Sequence, residues 1–561
     1  MPVIALAVIA LLVLGYAFYS RFLVRQYALD DARTTPAVAR EDGIDYVPTP
    51  RFYLLGQHFS AIAAAGPIAG PIMACITFGW APCLVWIVLG VIFIGAVHDF
   101  SSLVASVRHD AASVAELVRE HVGRPAWIAI MAFIWLALIY VLVAFADITA
   151  NTFVGKTEEL EGVSFNAGGA VAAASAMYLL LSIVMGLVQK RYNPPLWVLT
   201  VFFVPATLFV VWLGTQISTL LILDARSWGG LILLYCFIAA LLPLWLLLQP
   251  RGYLGGFVLY MVLAVGVVGV FFGGLPIAQP AFKGFQTGPN PTDSLFPFLF
   301  VTIACGACSG FHGLVCSGTT SKQIAKESHC QSVGYGAMLL EAFVAVIALA
   351  TVMFVSKEAI AGRGPGKLYG DGIGQFLTLI IGEKRRAFAV TFGAMAFSTF
   401  VFDTIDVATR LGRYILQELF RATSRVAGIL ATLGTVAIPA LLLVGAGPPA
   451  PGQKPTYMLF WTLFGTSNQL LAALTLMSIT VWLRRSGKRY WFTLAPLIFV
   501  LAITVWALVL QVKAALKAPL GLNATTMNAV VGVILLALAA YVGVECAKSA
   551  RRTPSPAPVT T

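Results

Sequence analysis

The chain has 561 residues, 59% of them hydrophobic and 11% charged, with a mean hydropathy of +0.89. That balance lies outside the range of soluble globular proteins and reads as an all-α polytopic membrane protein with no room for a separate soluble domain. The formal charge of +12 implies no nucleic-acid partner, because the basic residues fall in short loops, where positive charge fixes orientation toward the cytoplasm.

In chain order, apolar windows of about twenty residues predict about 15 membrane segments. They lie near 2–23, 55–77, 82–107, 125–152, 167–189, 195–215, 228–248, 254–275, 295–318, 333–356, 386–405, 425–444, 457–483, 489–512 and 526–546. The first, "PVIALAVIALLVLGYAFYS", has no basic residue before it and no small-residue cleavage site, and Arg21 and Arg25 follow it. It reads as a retained helix with the N-terminus outside. The linkers 24–54, 108–124, 190–194, 249–253, 319–332, 406–424 and 484–488 then fall inside, with a cytoplasmic C-terminus. They include Arg25, Arg33, Arg40, Arg51, Arg108, Lys190, Arg191, Arg410, Arg413, Arg484 and Arg485. The basic cluster "EKRRAF", 383–388, breaks this pattern, and the Gly-rich linker before it is expected to hold a short re-entrant helix at "GIGQFLTLIIG". The tail "RRTPSPAPVTT" is expected to be disordered. Eight cysteines make no secreted disulfide framework. Cys75 and Cys83 are the one pair placed for a bridge, and most of the cysteines read as small apolar fillers.

A weak internal repeat divides the chain. "LVREHVGRPAW" leads into a span ending "FADITA", and "LTLIIGEKRRAF" leads into one ending "TIDVAT", superposing Gly123 on Gly382 and Asp147 on Asp406. Ahead of each lies a Gly-x-x-x-Gly break, "AGPIAGP" and "CGACSGF". The divisions are 1–54, an N-terminal helix and linker; 55–215, a first half of five spans; 216–294, two inserted helices and a loop; 295–483, a second half of five; and 484–561, two further helices and the tail. Odd-numbered halves separated by an even number of spans have inverted topology, the layout of five-plus-five transporters of the leucine-transporter type.

Broken helices free backbone groups that lipid cannot satisfy. Gly66, Pro67, Gly70 and Pro71 in the first break, and Gly306, Ser309, Gly310, His312, Ser317, Gly318, Thr319 and Thr320 in the second, are therefore the candidate substrate-binding residues. "CSGTTSK" reads as a helix start, with Ser317 or Thr319 as cap, and half-helix N-termini favour a carboxylate. Acidic residues inside spans are costly and default to function. Asp403, with Ser398, Thr399 and carbonyls near Gly66, forms the expected coupling-ion site, while Asp99, Asp147 and Glu341 are further candidates. Asp406 and Arg410 are spaced for a local ion pair. Asn468 and Gln469 read as interhelical packing amides. Cys305, Cys308, His312 and Cys316 offer a rival metal or redox reading, but a continuous helix would spread them over roughly 16 Å, too far for one tetrahedral ion. No metal, cofactor or catalytic centre is expected, and the coupling ion is a proton, with sodium as the alternative.

Six motifs in order, "GPIAGP", "GAVHDF", "IACGACSGFHGLVCSGTTSKQI", "ESHCQSVGYGAMLLEAFVAVIAL", "DVATRLGRYILQEL" and "FGTSNQLLAAL", resemble the carbon starvation protein A family from about residue 50 to 483. The resemblance implies an inner-membrane secondary transporter, not an enzyme, for peptides or, with protons, pyruvate. Its partners would be a small-molecule substrate and the lipid bilayer. A starvation sensor that binds without transporting is the other alternative.

Overall fold

The computed structural model describes residues 1–43, 45–63, 65–160, 163–422, 424–445, 456–517 and 524–551; the tail expected to be disordered lies outside them beyond Arg551. Among the described residues twelve helices are long and apolar enough to cross a bilayer, thirteen if the bent pair Arg51–Ile62 and Gly66–Phe78 counts as one span. This is a multi-pass membrane protein, helical apart from one antiparallel hairpin, β1 (Thr157–Leu160) with β2 (Val163–Asn166). Two segments account for the shortfall from 15. The window 228–248 yields a shorter apolar helix, Ala225–Leu241, and 295–318 divides into Leu295–Thr302 and Gly310–Gly318.

The helices are α1 (Pro2–Tyr27), α2 (Arg51–Ile62), α3 (Gly66–Phe78), α4 (Trp80–Arg108), the short amphipathic α5 (Val114–His121), α6 (Arg124–Thr152), α7 (Ala167–Tyr192), α8 (Leu196–Gln216), α9 (Ala225–Leu241) and α10 (Leu248–Phe272). There follow α11 (Leu295–Thr302), α12 (Gly310–Gly318), α13 (Gln331–Met353), α14 (Pro365–Ile381), α15 (Arg386–Leu419), α16 (Arg425–Gly445), α17 (Thr456–Arg485), α18 (Trp491–Leu516) and α19 (Ala524–Arg551). Closing backbone hydrogen bonds within the helix is the condition for crossing hydrocarbon. Residues 249–253, expected in a linker, are the opening turn of α10. The short re-entrant helix expected at 372–382 is the second half of the longer α14, which lies along α15 as a helical hairpin.

Polar side chains and loops close the helix ends that the apolar windows leave open. Asn166 Oδ1 accepts the Gly169 N–H at 2.8 Å to start α7. Between α3 and α4 only Gly79 intervenes, at φ +92°, and a Cβ there would meet Ala281 O at 2.6 Å. The loop before α11 seals this junction: Ala81 N–H donates to Ala281 O at 2.9 Å and Lys283 Nζ to Ile76 O at 2.7 Å. Beside it, Cys75 and Cys83 are free, buried thiols, as are the other six cysteines, so the expected pair forms no bridge. The core lies where α3 packs on α13 and α6 on α15 and α17.

Candidate functional site

Two helix interruptions face each other in this core. At the first, α2 and α3 meet at 49°; Pro67 stands in the first turn of α3, where no intrahelical bond is lost, and Pro71 inside it withholds one backbone donor. At the second, the chain leaves α11 at Ile303 and re-enters helix at Gly310 with Ser309 as N-cap. The two breaks touch through glycine. A Cβ on Gly70 would lie 2.6 Å from Thr302 O, one on Gly66 would lie 2.5 Å from Cys305 Cβ, and Gly306 lies against Pro67. The structure thus gathers Gly66, Pro67, Gly70 and Gly306 at one crossing.

The groups freed at the second break are held by α17 and α4. Gln469 Nε2 donates to Phe300 O at 2.8 Å, Trp461 Nε1 to Thr302 O at 3.1 Å and Trp86 Nε1 to Ile303 O at 3.3 Å. Asn468 clamps the restart: its Oδ1 accepts the Phe311 N–H at 2.9 Å, and its Nδ2 donates to Ser309 Oγ at 3.0 Å and Cys305 Sγ at 3.2 Å. Asn468 and Gln469, expected to be packing amides, therefore act on the broken backbone. A cavity of about 10 Å³, room for about one water, adjoins Phe311, Phe464, Ser467 and Asn468.

The helix start expected at "SGTT" is instead the end of α12. Ser317 Oγ and Thr319 Oγ1 donate back to Gly313 O at 2.7 Å and Val315 O at 3.1 Å, because Asn468 lets the helix restart earlier, at Gly310. Thr320 opens a short 3₁₀ turn and meets His58 Nδ1 at 2.8 Å.

Four titratable groups line up behind the break, all buried. Asp99 on α4 takes His98 Nδ1 on Oδ1 at 2.8 Å and His312 Nδ1 on Oδ2 at 2.9 Å. His312 Nε2 stands 3.3 Å from Glu341 Oε2 on α13, yet neither Glu341 oxygen is aligned for a hydrogen bond, and His98 Nε2 has no partner among the described residues. An ionised carboxylate only accepts, so Asp99 holds both imidazoles in the Nδ1–H form and turns their Nε2 atoms outward. Two π-helical stretches, Val91–Gly95 before Asp99 and Gln331–Gly336 before Glu341, set these side chains. Tyr335 O–H donates across to Ile92 O at 3.0 Å. Such bulges re-aim the residues that follow them.

The carboxylates of α15 do not join this group. Asp403 Oδ1 accepts from Arg251 Nε at 2.8 Å, and Asp406 Oδ2 accepts from Arg251 Nη1 and from Tyr235 O–H at 2.7 Å. Arg251, on α10, is fully buried. The expected Asp406–Arg410 pair gives way to this one, since Arg410 Nη2 donates to the Ala239 and Leu242 carbonyls at 2.8 and 3.0 Å. Nor do the other members of the expected ion site converge. Ser398 Oγ pairs with Ser175 Oγ at 2.8 Å, Thr399 Oγ1 lies against Met395 Sδ at 3.6 Å, and Gly66 packs on Cys305. Asp147 sits apart on α6, bonded to Asn151 Nδ2 at 3.1 Å. The four-residue metal set is likewise scattered, with Cys305 on Asn468, His312 between carboxylates and Cys316 Sγ 3.8 Å from His58 Nε2.

A strap closes the Arg108 end. Arg108 Nε and Nη2 each reach a Glu327 oxygen at 2.9 Å, and Glu327 also accepts the Asp30 N–H at 3.0 Å. Asp31 takes Ser328 N–H and O–H, both at 2.8 Å. Thr49 N–H donates to Gln323 O at 3.0 Å. Burial alone would raise the Glu327 carboxyl, but the hydrogen bonds from Arg108 and Asp30 N–H hold it below the usual range. His58, His98, Arg251, Arg108 and Glu327 are the site and strap residues that sequence reasoning did not select. The adjacency of His98 to Asp99 and the polar "QPRGY" interruption around Arg251 were their visible signals.

The family profile described as carbon starvation protein CstA matches residues 1–362 and 353–507. A peptide transporter CstA of Helicobacter pylori strain J99 is 32% identical, covering 89% of this chain and 80% of that relative. A pyruvate/proton symporter BtsT of Escherichia coli K12 is 31% identical over 91% of this chain and 81% of its own length. A manganese transporter of Eremococcus coleocola, solved as a crystal structure, is similar at a TM-score of 0.48 with 12% identity, over 91% of this chain and 99% of that one. A likeness of that size fixes neither fold nor cargo.

Proposed function

This chain belongs to the carbon starvation protein CstA family, and on that membership and the buried His–carboxylate cluster we propose that it imports a small carboxylate-bearing nutrient together with protons. Pyruvate and short peptides are the two cargo classes, matching the names its relatives carry. In this reading α2 to α8 (α5 being a connecting helix) and α11 to α17 (with α14 likewise) form two inverted five-span halves in the inner membrane, with α1, α9, α10, α18 and α19 peripheral. The N-terminus lies outside and the C-terminus in the cytoplasm.

The observation that carries the proposal is His312, held inside the second break between Asp99 and Glu341. Without the coupled proton the cluster carries the negative charge of its carboxylates. A proton held between His312 Nε2 and Glu341 Oε2, 3.3 Å apart, removes one unit of that charge. Imidazole N–H groups are not sodium ligands, so this cluster favours the proton over sodium. Charge on the cluster biases α4, α12 and α13 toward one arrangement, and neutralisation biases them toward the other. The substrate carboxylate meets the crossing of the two breaks, where the Ser309 hydroxyl supplies a donor and the start of α12 a favourable dipole. Arginine does not line this crossing, which suits broad recognition of carboxylates.

Proteoliposomes loaded with labelled pyruvate or a panel of dipeptides outside, with and without an inward proton gradient, test this reading. Each tenfold in proton concentration is worth about 1.4 kcal/mol. One coupled proton across a gradient of about two pH units therefore supports roughly 100-fold accumulation. Absence of gradient-dependent uptake of either class would sink the proposal, and tight binding without accumulation would point to a sensor.

A further inference from the structure

Away from the transport path, the connection between α4 and α6 brings three ligand-type side chains together. His109 follows the last turn of α4, and Glu120 and His121 end α5. His109 Nε2 and His121 Nε2 stand 2.8 Å apart, and with a Glu120 oxygen the three donor atoms lie within 4.8 Å of one another.

The surroundings prepare both imidazoles. His109 Nδ1 donates to Ala105 O at 2.7 Å, which fixes the tautomer and leaves the Nε2 lone pair pointing at His121, the arrangement that orients metal-binding histidines. The His109 ring lies edge-on to Trp482 at 5.0 Å. The His121 backbone is held from behind, since Arg485 Nη1 and Ser549 Oγ both donate to its carbonyl, at 2.8 and 2.5 Å.

We propose that His109, His121 and Glu120 form a binding site for a divalent transition ion, zinc being the best match to two imidazoles and one carboxylate. Zinc–nitrogen bonds of about 2.0–2.1 Å set tetrahedral ligand atoms roughly 3.3–3.4 Å apart. The two nitrogens need to separate by about half an ångström from their present 2.8 Å, and exposed Glu120 swings in. Arg485 is the cation that faces the site, and its charge holds affinity below that of a closed structural zinc centre. The ion would join α4, which carries His98 and Asp99, to α5, itself packed on α17, which carries Asn468. Occupancy thus favours the arrangement of these helices seen here.

The test uses purified full-length protein stripped with a chelator and titrated with Zn²⁺ by calorimetry, with the visible spectrum of added Co²⁺ as a second readout. One ion per chain is expected, with the intense bands of a four-coordinate Co²⁺ site. His109→Ala and His121→Ala should each weaken Zn²⁺ binding at least tenfold. Glu120→Gln, on an exposed side chain that folding does not need, should weaken it severalfold and shift the Co²⁺ bands. Melting of each variant without metal checks that it folds; if a histidine variant does not, the Glu120→Gln titration and the wild-type Co²⁺ spectrum decide. No Zn²⁺ binding by the wild type, wild-type binding in the double histidine variant, or Co²⁺ bands indifferent to Glu120→Gln would each overturn the site.

Discussion

Two carboxylate pairs among the packed helices of this molecule have opposite partners. Asp403 and Asp406 on α15 share Arg251, whereas Asp99 and Glu341 share His312. A guanidinium stays charged at any accessible pH, so the first group is a fixed cross-link that fastens α9 and α10 to α15. An imidazole gains and loses its proton near neutrality, so the second group can exist in two charge states. Burial alone does not make an acidic residue part of a transport mechanism; the partner decides whether its charge can change.

That contrast can be broken in order of expected effect. Glu341→Gln or His312→Gln should abolish gradient-driven accumulation, from roughly 100-fold at two pH units to none, while exchange of substrate across the membrane persists. Asp403→Asn should keep accumulation and its pH profile. Arg251→Met leaves buried Asp406 and half-buried Asp403 without a counter-charge and should cost about 3 kcal/mol of stability, whereas adding Asp403→Asn and Asp406→Asn should recover most of it; denaturation of the purified protein measures both. Asn468→Ala strips the Phe311 N–H of its acceptor, at about 1–3 kcal/mol, and should raise KM in uptake assays.

The smallest effect belongs to the strap. Glu327→Gln keeps an acceptor but loses charge assistance, about 1 kcal/mol, which should speed hydrogen exchange at residues 28–33 and 322–328. Glu327 is held below its ordinary range in the fold, so its contribution is present above the unfolded value and lost as pH falls through the folded one. Protection of the strap amides, relative to their intrinsic exchange rate at each pH, should be flat from neutral pH to the ordinary glutamate range and fall only below it.

Much of this was legible in the sequence because it is local. Apolar windows locate the spans, and Gly and Pro spacing marks both breaks, "CGACSGF" running across the second and "AGPIAGP" opening the helix that follows the first. Asp99, His312 and Glu341 were each recognisable as costly polar residues in apolar runs. What the sequence could not show is which of them meet. Asp406 has Arg410 one turn away, a pairing the local spacing supports, yet Arg251 arrives from a helix 155 residues earlier and takes its place. The start of α12 was misplaced for the same reason: "SGTT" has the better local caps, but Asn468, distant in sequence, supplies the acceptor at Phe311. Pairings set by tertiary approach leave no spacing pattern to read.

The central claim is that the proton which drives transport is held by the His312–Glu341 contact rather than by the α15 carboxylates. Uptake of labelled pyruvate and dipeptides into proteoliposomes under an inward proton gradient, run side by side for wild type, Glu341→Gln and Asp403→Asn, tests it most directly. The account predicts uphill accumulation in the wild type and Asp403→Asn, and downhill equilibration only in Glu341→Gln. Uphill accumulation by Glu341→Gln, or its loss in a correctly folded Asp403→Asn, would contradict it.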